Sequence, residues 1–311
     1  MLVHEMKKII KNSEVDLVHL HGHHYPITWL SEFYAKKYNV PTVLTLHGMY
    51  ALNPYVTGGK TLLEEIFNKT IFKYILKNAN SIIGLTKSIV NYAKNYGPKE
   101  AKYYEIPNGI DLDSYERNLH KKAEYRDKYG LPKDKIIVLF RGRFTHVKGA
   151  LEAAYAAKHA IKSRSNMFFL FVGNGPLKRD IENILNGVKN VKILDWTPME
   201  AIHELYIASD IYLLPSKWEA LPITLIEAMA ARLYIVSTPV GGIPDVLTNY
   251  PLKTFIYSLD LKLMVKALNE ALRKICIKNG MINNRVSAYI AQYDWRNIVY
   301  KIEQVYKVIS K

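Results

Sequence analysis

Short apolar runs alternate with longer amphipathic stretches from Val15 onward. Runs at Val15–His21, Pro41–Leu46, Ser81–Leu85 and Tyr103–Ile106 read as a first group of strands. Runs at Lys135–Arg141, Met167–Val172, Val191–Leu194, Ile211–Leu214, Leu233–Ser237 and Lys253–Phe255 read as a second group. The stretches between them carry helical periodicity, and strands alternating with helices predict parallel βαβ units with helices on both sheet faces. Ser114–Asp134 is polar, charged and strand-poor, with a Gly130-Leu131-Pro132 breaker, so it reads as the domain boundary. From Asp260 to Lys311 only helices are expected. The fold class is therefore α/β, in two Rossmann-like units: residues 1–116, a linker at 117–134, and residues 135–291.

The net charge of +15 raises nucleic acid and acidic membranes as partners. Both halves of the chain share it, which argues against a nucleic-acid-binding arm, and no nucleic-acid partner is expected. Lys69, Lys73 and Lys77 recur every fourth residue, opposite an apolar face of Leu62, Leu63, Ile66, Phe67, Thr70, Ile71, Tyr74 and Ile75. This helix reads as a solvated face or as a contact for anionic lipid headgroups or a phosphorylated acceptor. The single cysteine, Cys276, lies among apolar neighbours and reads as a buried thiol. No apolar run approaches the roughly 20 residues of a membrane span. Met1–Asn12 lacks the layout of a signal peptide, so a cytoplasmic location is expected, with peripheral contact at the inner face of the membrane as its extension.

In open parallel sheets ligands sit beyond the carboxyl ends of the strands, where helix N-termini present unpaired N–H groups. Two constellations fall there. Arg141-Gly142-Arg143-Phe144-Thr145-His146-Val147-Lys148-Gly149 follows one strand. Its Arg143 guanidinium and Lys148 ammonium can clamp a diphosphate and neutralise its leaving charge. Pro215-Ser216-Lys217-Trp218-Glu219 through Ala230 follows another, with Glu227 about two turns of helix beyond Glu219. A carboxylate so placed can accept both hydrogens of a ribose diol. The plainer alternative is a solvated Glu219, with Glu227 capped by Lys217 or Arg232.

The E-x7-E pair in its P-S-x-x-E and E-A-M-A setting resembles the family 4 retaining glycosyltransferases. The upstream G-R…K-G and the downstream Val240-Gly241-Gly242-Ile243-Pro244-Asp245 match the same family in order and spacing. So do Val172-Gly173-Asn174-Gly175-Pro176, Tyr206 to Ser216, and Ile106-Pro107-Asn108-Gly109-Ile110-Asp111. The resemblance implies a GT-B fold, two Rossmann-like domains facing a cleft, with the C-terminal helix 292–311 completing the first. It implies that Arg143 and Lys148 bind the donor diphosphate, Glu227 the ribose and Glu219 the transferred sugar. It also implies that backbone groups of Leu221, Pro222, Ile223 and Thr224 face the sugar and phosphate. Pro222 stands where many members have Gly and brings no N–H.

His47, in Thr45-Leu46-His47-Gly48, matches the family's active-site histidine. The catalytic pair is then His47 and Glu219. Transfer from a nucleotide sugar to a glycan, lipid or small-molecule acceptor follows, with no resident cofactor and no metal. The cluster His19, His21, His23 and His24 could suggest a metal site, but it resembles the family's strand-to-loop segment and no carboxylate falls at a convincing ligand spacing, so no metal is expected there. The family usually places further strands and a glycine-rich loop ahead of the segment corresponding to Val15–His21. The first domain therefore reads as truncated, through a misassigned start codon, a split enzyme completed by another chain, or a homologue that binds nucleotide sugar without turnover, and the chain is expected to self-associate or recruit a partner.

Overall fold

The computed structural model describes residues 2–12, 15–49, 52, 59–163, 166–195, 198–275 and 280–309. Cys276 lies outside the described residues. The chain divides into two compact units, Met1–Asn108 with Arg296–Lys311, and Gly109–Trp295.

The first unit is built on four parallel strands in the order β1 (Val18–His21), β2 (Thr42–Leu46), β3 (Ser81–Gly84) and β4 (Lys102–Glu105). β1 is an edge strand. β2 and β3 are buried at every position, as strands covered on both faces must be, and they carry only small polar residues (Thr42, Thr45, Ser81) among their apolar ones. The helix Trp295–Ile309 supplies part of this unit's core: Ile298 and Val305 pack with Val43, Ile83 and Ile106.

The amphipathic stretch at 59–78 departs from the expected single helix face. It forms a helix Gly59–Phe67, a π-helical turn Asn68–Phe72 and a helix Lys73–Asn78. A π turn holds an extra residue and shifts the phase of the stripe. Phe72, Ile75 and Leu76 are consequently buried, whereas Leu62, Leu63 and Ile66 are 62%, 68% and 52% exposed.

The second unit holds a six-stranded parallel sheet in the order β10-β9-β8-β5-β6-β7, with β5 Ile136–Arg141, β6 Met167–Val172, β7 Val191–Leu194, β8 Ile211–Leu214, β9 Tyr234–Ser237 and β10 Lys253–Phe255. The chain winds outward from β5 in both directions, since β5 pairs with β6 on one side and β8 on the other. That reversal opens a crevice between the loops leaving β5 and β8, the usual place for a ligand in such sheets.

Residues 117–134 are not a linker. They contribute the helix Lys122–Lys128 to the second unit, and Arg126, 7% exposed, is fixed there. Its guanidinium donates to Asp210 at 2.6 Å and to the carbonyls of Ala208, Lys133 and Lys135. Asp210 also accepts from the Ile137 N–H at 2.7 Å. Two of the segment's charges, Lys122 and Arg126, serve this one acid, while Lys128 pairs with Glu204.

Candidate functional site

The two constellations meet at the switch point of the second sheet. Arg141 ends β5, and its Nη1 donates to Glu227 Oε2 at 2.5 Å. Glu227 sits in the helix Ile223–Ala230 that follows β8 and is 5% exposed. Tyr206 braces this pair: Arg141 lies 5.8 Å from its ring centroid, and its hydroxyl donates to the Thr224 carbonyl at 3.1 Å. The hydroxyl of Tyr212 donates to the Arg141 carbonyl at 3.2 Å.

A second pair lies alongside. Lys148 Nζ donates to both oxygens of Glu219, at 2.6 and 2.8 Å, and the Ser216 hydroxyl donates to the same carboxylate at 2.7 Å. The alternative partners for the glutamates are otherwise engaged: Lys217 pairs with Glu152 at 2.7 Å, and Arg232 donates to Ser287 at 2.9 Å. Arg143 is exposed, and its guanidinium takes no partner among the described residues.

Two glycines let these loops close up. Gly149 (φ +66°) ends the turn carrying Lys148, and a Cβ on it would come within 2.0 Å of the Pro215 carbonyl oxygen. Gly241 (φ +54°) lies so close to Glu219 that a Cβ would meet its carbonyl oxygen at 1.7 Å. Only glycine tolerates both the left-handed backbone and that approach. Pro222 caps the helix Ile223–Ala230, Leu221 is buried, and Ile223 and Thr224 occupy its first turn, where N–H groups have no intrahelical partner.

His47 follows β2 in the first unit and is exposed. Its Nε2 lies 2.9 Å from Nδ1 of His21, and the two rings stack at 5.2 Å. Although both residues are solvent-accessible, partial desolvation of their ring nitrogens lowers the pKa of both, and the neighbouring His21 lowers His47 further. His19 is pulled down to about 4, first by burial and then by His21 and His47. It is held between Thr45 Oγ1 at 2.8 Å and the Tyr306 hydroxyl at 2.6 Å. Neutral imidazoles therefore line the carboxyl end of this sheet.

Arg141, Tyr206 and His21 were missed as partners of the predicted residues. Arg141 had a signal, since it is the last residue of a strand run and opens the basic motif. The tyrosine had none beyond an aromatic at a buried helical position.

The chain matches a family model described as glycosyl transferases group 1 over residues 121–287, and one described as glycosyltransferase family 4 over residues 2–114. It is 24% identical over 311 residues to the phosphatidylinositol N-acetylglucosaminyltransferase GPI3 subunit of Saccharomyces cerevisiae strain YJM789, covering 98% of this chain and 66% of that protein. Among solved structures it is similar to a glycosyltransferase of Rickettsia africae ESF-5, with a TM-score of 0.77, 20% identity and coverage of 100% of this chain and 82% of that one. It is also similar to Anabaena HepE in complex with UDP and glucose, with a TM-score of 0.74, 15% identity and coverage of 98% and 80%. The folds are those of GT-B glycosyltransferases, two parallel-sheet α/β domains. With both family models covering most of its length, the chain belongs to the group 1 glycosyl transferases.

Proposed function

We propose that this protein transfers a sugar from a nucleotide-sugar donor, with retention of anomeric configuration, to a lipid-linked acceptor. The observation that carries the reading is the pairing of Arg141 with Glu227 and of Lys148 with Glu219 at one switch point. Glu227 accepts the ribose hydroxyls, while Arg143 and Lys148 take the diphosphate. Glu219 and the N-terminus of the helix Ile223–Ala230 face the sugar, so a carboxylate and an ammonium flank the bond that breaks.

Charge builds on the departing diphosphate, where the two cations and the helix terminus stabilise it. Its oxygen accepts the proton of the acceptor hydroxyl on the face that the diphosphate leaves, which preserves the anomeric configuration. His47 hydrogen-bonds a sugar hydroxyl in its neutral form. No metal is required at the phosphates, because two side-chain cations do that work.

A lipid-linked acceptor is supported by the exposed Leu62, Leu63 and Ile66 beside Lys69 and Lys73, a combination suited to the surface of an anionic bilayer on the cytoplasmic side. No helix among the described residues is long and apolar enough to cross a membrane. The phosphatidylinositol in the name of the yeast relative agrees with this class of acceptor.

The test is calorimetric titration with a panel of nucleoside diphosphates. Glu227→Gln is expected to weaken the preferred one by about 1.5–3 kcal/mol, the range for a lost charge-assisted hydrogen bond. Equal affinities in variant and wild type would remove Glu227 from the site.

A further inference from the structure

The loop leaving the carboxyl end of β1 carries two adjacent histidines, and the chain returns some forty residues later to set an acid against them. His24 Nε2 lies 3.3 Å from Glu64 Oε1, in the helix Gly59–Phe67. His23 is 1% exposed, and its Nε2 has no hydrogen-bond partner. One ligand atom from each of the three residues falls within 4.8 Å of the others.

A hydrogen bond between His24 and Glu64 accounts for two of these groups and leaves the third, the most buried, stranded. A cation satisfies all three. Zinc bound tetrahedrally at roughly 2.0–2.1 Å sets its ligand atoms about 3.3 Å apart, which is the separation His24 and Glu64 already have. The remaining edge needs a small adjustment of the His23 ring.

The surroundings are built for such an ion. Phe67 stacks on His24 with ring centroids 5.1 Å apart, and Phe72 lies 4.7 Å from His23, so one side of the cluster is apolar. Trp29 Nε1 donates to the His23 carbonyl at 2.6 Å and fixes the loop.

We infer that His23, His24 and Glu64 bind one zinc ion, which fastens the loop after β1 to the helix Gly59–Phe67. Two imidazoles with one carboxylate suit zinc and its neighbours in the first transition row, and do not suit magnesium or calcium. Three protein ligands leave a fourth position for water. The site lies wholly within the first unit and shares no residue with the groups assigned to the donor diphosphate.

The full chain, stripped with a chelator, is to be titrated with Co2+ and followed by its visible d–d absorption, with Zn2+ as competitor. One Co2+ per chain, displaced by Zn2+, is expected. Glu64→Gln and His24→Gln should each weaken binding by more than the roughly 10- to 100-fold that loss of a merely supporting group causes, while His21→Gln should leave it intact. Far-UV circular dichroism checks that each variant is folded. Should one variant unfold, the other together with a zinc-dependent rise in the melting temperature of wild type decides. Absence of stoichiometric cobalt binding, undiminished affinity in the folded variants, or loss in His21→Gln alone would each overturn the assignment.

Discussion

Two cations approach the candidate diphosphate site in different states. Lys148 is tied to Glu219, which is 5% exposed, whereas Arg143 is exposed and unpaired among the described residues. Arg143→Ala is therefore expected to act on ligand alone, weakening a nucleoside diphosphate about tenfold or more while sparing the bare nucleoside and the melting temperature. Equal loss for both ligands would remove Arg143 from the phosphates. Glu32 offers a separate check on burial. It is fully buried, accepts from Thr42 Oγ1 at 3.1 Å, and its Oε2 has no partner. Burial pushes its pKa up from 4.5 to about 7. The folded protein thus holds a proton that the unfolded chain releases, and the stabilisation present below pH 4.5 is lost as pH rises towards 7. Glu32→Gln should raise stability by on the order of 3 kcal/mol at pH 8, with little gain at pH 4. Urea midpoints at the two pH values measure this, and an equal gain at both would sink it. At this scale the sequence was partly legible. Arg143, Lys148, Glu219 and Glu227 stand out by spacing, but the Arg141–Glu227 pair joins residues 86 apart in the chain, and only the winding of the sheet brings them together.

Elements were more legible than side-chain pairs. A central parallel strand must be apolar on both faces, so β5, β6 and β8 announce themselves as unbroken runs, and the loops after them inherit their positions. The stretch at 59–78 failed for a stated reason: one extra residue in its π turn rotates everything beyond it by about 100°, so a stripe drawn on a regular helix names the wrong buried residues. Tight loops carry their own signal in glycine. Gly241→Ala must displace the Glu219 carbonyl oxygen as well as strain a left-handed backbone. It should cost upward of about 1 kcal/mol in stability and lower donor affinity through Glu219. A melting scan with a binding titration checks both, and an unaltered affinity would show that Glu219 does not depend on this loop.

At the scale of the whole molecule, the sequence separated two groups of strands but misread what lies between them. Composition marks Lys122–Lys128 as polar, and nothing local shows that Arg126 is claimed by Asp210 far along the chain. The helix Trp295–Ile309 belongs to the first unit's core, with Ile298 1% exposed. Ile298→Ala should remove about 2–5 kcal/mol, all of it from the first unit. Urea denaturation with and without a nucleoside diphosphate separates the units, since the ligand stabilises only the one it binds. A single transition lowered as a whole would mean that they unfold together. The same helix bears on how the protein is made. Translation runs at about 5–20 residues per second and domains generally fold in the order they emerge, yet here the unit begun first is finished last. Its four strands must wait, on the order of ten seconds or more, while Gly109–Trp295 is synthesised. During that wait Val43, Ile83 and Ile106 lack the helix that covers them in the folded protein.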